Sequence, residues 1–161
     1  MVNGLTHFDE KGASRMVDVG DKHVTKRVAV AHAKVKMKPE TLTAILDKEI
    51  SKGDVLEVAR VAGIMGAKQT SSLIPMCHTL NLTAVKIDFT NNGIDCVELF
   101  SEVQTYGKTG VEMEALTASS ICALTIYDMC KSIDRNIVIS EVHLLKKSGG
   151  KSGDFTFIKE G

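Results

Sequence analysis

Hydrophobic and polar positions alternate over residues 24–37, which puts Ala29, Ala31, Ala33, Val35 and Met37 on one face. A period of two predicts a half-buried strand, and the small residues on that face suit a helix packed close above it. Pro39 opens a helix that the stripe Leu42, Ile45, Leu46 and Ile50 carries as far as Ile50, since apolar residues three and four apart line one helical face. After Gly53, Asp54 with Glu57 has the spacing of a capped helix start. This second helix is expected to run through Val58, Ala62 and Met65 to about Ser72, ahead of Pro75. Residues 82–89 alternate again, with Val85, Ile87 and Phe89 on one side, and Asn91-Asn92-Gly93 predicts a tight hairpin turn. The return strand is expected from Ile94 to about Thr105, a third helix over residues 111–132 and a last strand over residues 137–145. One hairpin requires antiparallel pairing. The order of elements therefore predicts an α+β domain, a single antiparallel sheet with helices packed on one face. Residues 1–161 form one domain in this reading, with about 1–14 and 148–161 flexible.

Composition narrows the partners. Lys+Arg and Asp+Glu both number 20, so the net charge is zero, whereas a nucleic-acid-binding domain carries a basic excess. Aromatic residues make up 4% and Trp is absent, which leaves no stacking platform for bases. No apolar run approaches membrane-spanning length, and the N-terminus lacks the pattern of a secretion signal. None of the four cysteines, Cys77, Cys96, Cys122 and Cys130, forms a C-x-x-C pair. Reduced, buried thiols in a cytoplasmic protein are expected.

The third helix holds the candidate chemistry. Leu116, Ile121, Cys122, Ala123, Leu124, Ile126, Tyr127 and Met129 leave it hardly any polar face. A helix apolar all round is buried on several sides, and in a domain of this size that implies cover from another subunit. Asp128 and Lys131 stand one turn apart near its C-terminus, where the helix dipole disfavours a carboxylate by about 0.3–1 kcal/mol. Two readings are open, an i, i+3 ion pair or an acid–base pair. Thr109 with Glu112 matches a capping box, and Glu114 falls in the first turn, where acids are favoured. Pro75-Met76-Cys77-His78 joins a helix to a strand, a place where functional side chains are often displayed. Adjacent residues in an extended chain point to opposite faces, so Cys77 and His78 would share an ion poorly, and no second pair stands at zinc spacing. Gly150-Lys151-Ser152 ends like a phosphate-binding loop, but Leu145 stands where that loop needs its first glycine. The tail is either a basic lid or a solvated terminus.

The run from Lys108 to Ala118 (KTGVEMEALTA), continuing at Thr125-Ile126-Tyr127-Asp128-Met129-Cys130-Lys131, closely resembles the molybdenum cofactor biosynthesis protein C family, the cyclic pyranopterin monophosphate synthases. Arg15-Met16-Val17-Asp18-Val19, Lys52-Gly53-Asp54-Val55, Leu73-Ile74-Pro75-Met76-Cys77-His78 and the stretch from Lys147 to Phe155 carry the resemblance across nearly the whole chain. It implies a ferredoxin-like α+β fold and a homo-hexamer, a trimer of dimers, with active sites at the dimer interface. The implied reaction converts 3′,8-cyclo-7,8-dihydroguanosine 5′-triphosphate, supplied by a radical S-adenosylmethionine GTP cyclase, to cyclic pyranopterin monophosphate and diphosphate. No organic cofactor is implied, and there is room for a divalent ion such as Mg2+. The implied catalytic residues are Asp128, Lys131 and Lys52. Met76, Cys77, His78, Met113, Glu114, Glu112, Arg27, Lys68 and Lys147 are the implied substrate contacts. Asp128 and Lys131 are expected to share proton transfers in a partly dry pocket, Arg27, Lys52, Lys68, His78 and Lys147 to contact phosphate and ribose, Met113 and Glu114 to hold the ring, and Cys77 to be pocket wall. Two rival roles use the same residues: a non-catalytic carrier or regulator of the radical cyclase, and a structural oligomer.

Overall fold

The computed structural model describes residues 12–158. Its elements follow the order β1 (Thr25–Lys36), α1 (Pro39–Leu46), α2 (Val55–Lys68), α3 (Thr70–Leu73), β2 (Leu82–Asn91), β3 (Cys96–Gly107), α4 (Glu112–Cys130), β4 (Val138–Ser148) and β5 (Phe155–Thr156). The strands form one sheet in the order β2-β3-β1-β4-β5, with every pairing antiparallel. The four strands β2-β3-β1-β4 have the ferredoxin-like arrangement, and the fold is α+β as expected.

The helix-facing side of the sheet is built from the alternation in the sequence. Ala29, Ala31, Ala33 and Val35 on β1 and Val97, Leu99 and Val103 on β3 are fully buried beneath α4 and its neighbours. The α2–α4 contact is closer than side chains normally allow. A Cβ on Gly63 would lie 3.0 Å from the Ala118 carbonyl oxygen and 3.2 Å from the Cys122 Cβ, so the two helices touch backbone to backbone there. Asp134, itself buried, accepts hydrogen bonds from the Lys38 amide at 2.9 Å and the Thr41 hydroxyl at 3.2 Å. It thereby caps a helix whose own Lys38 offers no side-chain cap.

Several boundaries differ from expectation. The first helix stops at Leu46, because the chain turns through Lys48 at φ 58°. Ile50 still reaches the core from the loop, while Leu46 is exposed. The second helix breaks at Gln69 into α2 and the short α3. Its buried stripe is Val55, Ala59, Gly63, Gly66 and Ala67, not Val58 and Met65, which face outward. The small residues mark the side of closest approach to α4. The hairpin loop has four residues, since the Asn92 side chain accepts from the amides of Ile94, Asp95 and Cys96 at 3.0 Å each, so β3 starts at Cys96 instead of Ile94. The last strand runs three residues beyond Leu145, to Ser148, and Phe155–Thr156 pair with it. The segment expected to be flexible after Ser148 therefore includes a strand. The expectation for residues 1–14 falls largely outside the described residues.

Candidate active site

Two adjoining cavities lie at the N-terminal end of α4. The larger, about 900 Å3, is bordered by the β1 start, the loop before α4 and the β4–β5 turn. Lys22, His23, Arg27, Lys108, Lys147 and Lys151 line it, against the two acids Asp21 and Glu112. A chain with no net charge has thus gathered a local excess of cations, the condition for holding a polyanion. The smaller, about 320 Å3, is floored by Met76, Cys77, His78, Leu80, Met113 and Glu114. Lys22, Thr109, Gly110 and Glu112 line both, so the two volumes form one continuous site with a basic arm and a mostly apolar end.

Arg27 builds the basic arm. Its side chain is buried to 9% exposure, and its guanidinium donates to the Gly149 carbonyl at 3.3 Å and the Lys108 carbonyl at 3.4 Å. One planar fork therefore fastens the loop that carries Lys108 to the β4–β5 turn that carries Lys151. Gly150, at φ 81°, lies so close to this guanidinium that any Cβ would collide with it. The Arg27 Nε is buried and has no hydrogen-bond partner among the described residues. Lys147 reaches Glu112 at 3.3 Å and the Ser152 hydroxyl at 2.7 Å. The capping box expected of Thr109 and Glu112 does not form: Val111 occupies the N-cap with no side-chain cap, and Glu112 instead turns its carboxylate to Lys147.

The apolar end has different electrostatics. Glu114 is only 4% exposed. Burial pushes its carboxyl above the usual range, a backbone amide works against that shift, and neighbouring Glu112 adds to it. Burial also raises the Cys77 thiol, with Glu114 contributing, so the thiol is protonated and suits a wall rather than a nucleophile. A ring nitrogen of His78 lies 2.8 Å from the Val17 carbonyl.

Asp128, Lys131 and Lys52 form a separate cluster. Lys131 Nζ lies 2.7 Å from one Asp128 carboxylate oxygen and Lys52 Nζ 3.4 Å from the other, while Lys52 also donates to the Asp128 carbonyl at 2.7 Å. The hydrogen bond and charge of Lys131, then the charge of Lys52, hold the Asp128 carboxyl below its ordinary value, and Asp128 raises Lys131 in turn. The partly dry pocket expected around them is absent from the single chain, where the Asp128 and Lys131 side chains are 59% and 52% exposed. At 1.5 Å per residue, the sixteen residues from Glu112 to Asp128 put this cluster about 24 Å from the cavities. Lys68 ends α2, is exposed, and lines neither cavity.

Thus Arg27, Met76, Cys77, His78, Glu112, Met113, Glu114 and Lys147 come together, and Lys52, Asp128 and Lys131 come together elsewhere. Sequence reasoning missed Lys22, His23 and Lys108 as wall residues. Lys108 opened the longest matching string, and Lys22 follows closely on the Arg15–Val19 string, so proximity to those strings was the available signal. No group of three His, Cys, Asp or Glu side chains suited to a metal occurs among the described residues. No described helix is long and apolar enough to cross a membrane.

Residues 16–150 match the MoaC family. The chain belongs to that family. Relatives of similar length bear the name cyclic pyranopterin monophosphate synthase. The protein from Heliobacterium modesticaldum is 59% identical over 94% of this chain and 96% of its own length. Those from Brevibacillus brevis and Magnetococcus marinus are 56% and 58% identical, each over 96% of this chain and over 97% and 95% of their own lengths. The MoaC match spans both cavities and the Asp128 cluster, apart from Lys151 and Ser152 at the far rim.

Proposed function

We propose that this chain is a cyclic pyranopterin monophosphate synthase, a phosphorus–oxygen lyase of molybdenum cofactor biosynthesis acting in the cytoplasm. Its substrate is 3′,8-cyclo-7,8-dihydroguanosine 5′-triphosphate, received from a radical S-adenosylmethionine GTP cyclase, and its products are cyclic pyranopterin monophosphate and diphosphate. The observation that carries this reading is the continuous two-part cavity. A cation-lined arm suits a triphosphate, and an apolar end floored by Glu114 suits a fused purine-derived ring. Burial shifts the Glu114 carboxyl toward its protonated form, and in that form it can both donate to and accept from such a ring. The relatives named for this activity support the same reading. The reaction is redox-neutral and calls for no organic cofactor, and any Mg2+ would be held chiefly by phosphate oxygens.

Ring opening and reclosure need proton transfers, assigned to Asp128 and Lys131 with Lys52. Those residues stand about 24 Å from the cavities of their own chain, so a complete site takes them from a second protomer. Pairing two chains about a two-fold axis across the helix layer brings each Asp128 cluster toward the other chain's cavities. Val58, Val61 and Met65 on α2 and Leu124 on α4 are apolar and exposed, which supplies the surface for such a contact. Cover by the second chain also provides the dry setting that Asp128 lacks here. Three such dimers make the proposed hexamer.

Purified protein incubated with the cyclised triphosphate should release diphosphate and form the cyclic phosphate. Absence of both products from wild-type protein sinks the proposal. The shared site has its own test. Asp128→Asn and Glu114→Ala protein, each inactive alone, should regain activity after mixed refolding, because each mixed dimer contains one intact site. No recovery from verified mixed dimers places both residues in one chain's site.

A further inference from the structure

Resting on the function proposed above, we propose that Lys22 acts at the phosphorus–oxygen bond that breaks, neutralising charge on the departing diphosphate. Among the described residues, Lys22 is the one cationic side chain lining both cavities, and Glu112 the one carboxylate. A substrate with its ring at the apolar end and its phosphates in the basic arm puts the sugar and α-phosphorus at that junction. The loop bearing Lys22 is held from both sides. His78 lies 2.8 Å from the Val17 carbonyl, and Lys108 Nζ donates to the Gly20 carbonyl. Within the loop, the Gly20 amide bonds to Asp18 at 2.7 Å and the Lys22 amide to Val19 at 3.1 Å. Lys52, Lys131 and Lys147 are each committed to a carboxylate. Among the described residues no carboxylate is paired with Lys22, so its charge is available to the substrate.

The step balances without a co-reactant. A sugar-derived hydroxyl oxygen forms a bond to the α-phosphorus, and the bond from that phosphorus to the α,β-bridging oxygen breaks. The electron pair leaves with diphosphate, and the hydroxyl proton passes to Glu112. Charge grows most on the bridging oxygen, where an ammonium is more strongly bound in the transition state than in the ground state.

The test compares wild type, Lys22→Met and Lys22→Arg on the cyclised triphosphate and on its β,γ-methylene and β,γ-difluoromethylene analogues, whose leaving groups differ in basicity. Lys22→Met is expected to melt with wild type and to lose about 100-fold in kcat, with KM changed less than about threefold. The loss should be larger with the methylene analogue, the poorer leaving group, and Lys22→Arg should recover part of it. An unchanged kcat, a loss confined to KM, or equal losses with both analogues overturns the assignment. If wild-type protein itself releases no diphosphate, the function proposed above fails and this inference with it, an outcome read from wild type alone.

Discussion

The two ends of α4 carry carboxylates with opposite properties. Glu114, in the first turn, is buried among Cys77, Met113 and the cavity floor, and burial drives its carboxyl toward the neutral form. Asp128, in the last turns, is exposed between Lys131 and Lys52, which hold it ionised. Helix polarity alone favours a charged acid at the first end and disfavours one at the second. Burial at one end and two lysines at the other reverse that order. The difference teaches that position along a helix is a weak guide to protonation once a cavity or a cation pair is present. It also separates the tasks: the buried acid suits recognition of a ring, and the exposed one, with its lysines, suits proton transfer once a second chain covers it.

The sharpest way to break this comparison is Asp128→Asn. It should lower kcat by about 100- to 10,000-fold while leaving oligomeric state and substrate binding intact, measured by diphosphate release, light scattering and calorimetry. Near wild-type turnover removes Asp128 from proton transfer, and dissociation would favour an assembly role. Next in size, Lys147→Met should weaken substrate binding by roughly 10- to 150-fold, the equivalent of a lost charged hydrogen bond of about 1.5–3 kcal/mol. The binding isotherm should show this with a smaller change in kcat. A third change probes the contact that holds the two ends in register. Gly63→Ala should destabilise the chain by about 1–3 kcal/mol, as overpacking between closely packed helices does, measured by urea unfolding. An unchanged midpoint would mean that α2 can move away from α4 without cost.

The smallest effect concerns pH. The folded carboxyl of Glu114 titrates above its reference value of 4.5. Protonation is therefore favoured in the folded state, and the stability linked to it is lost as pH rises through the folded value. Glu114→Gln should melt at or above the wild-type temperature at neutral pH, and the two should converge below about pH 4, where both folded and unfolded carboxyls are protonated. The sign is opposite at the other end of α4. The stabilisation from Asp128 is present above its reference value of 3.8 and fades as pH falls through its lower folded value. A Glu114→Gln variant that loses stability at neutral pH would show that the buried carboxylate has a compensating partner.

Much of the fold was legible before any coordinates. Alternation in residues 24–37 marked β1 and its helix-facing side, because a period of two admits one buried face. The pattern failed where polar or small residues carried the structure. Asn92 set the hairpin loop through three side-chain hydrogen bonds. Gly63 and Gly66 set the buried side of α2, where hydropathy pointed to Val58 and Met65. In the site, residues within the family strings were found, while Lys22 and His23 lay just outside them, a few residues past the Arg15–Val19 string. They matter because a loop folds back over a cavity built largely from residues more than fifty positions away.

The amino-acid sequence by itself determined the element order, the antiparallel sheet, the apolar third helix and the family strings that point to the chemistry. These follow from periodicity and local composition, which act over a few residues. Only the tertiary structure decided which charges meet. It put Lys22, Arg27, Lys108 and Lys147 around one basic arm, kept Asp128, Lys131 and Lys52 at the far end of α4, and buried Glu114 while exposing Asp128. Those outcomes depend on packing between segments distant in the chain, and the free energy of a charge is governed by burial and by its neighbours in space.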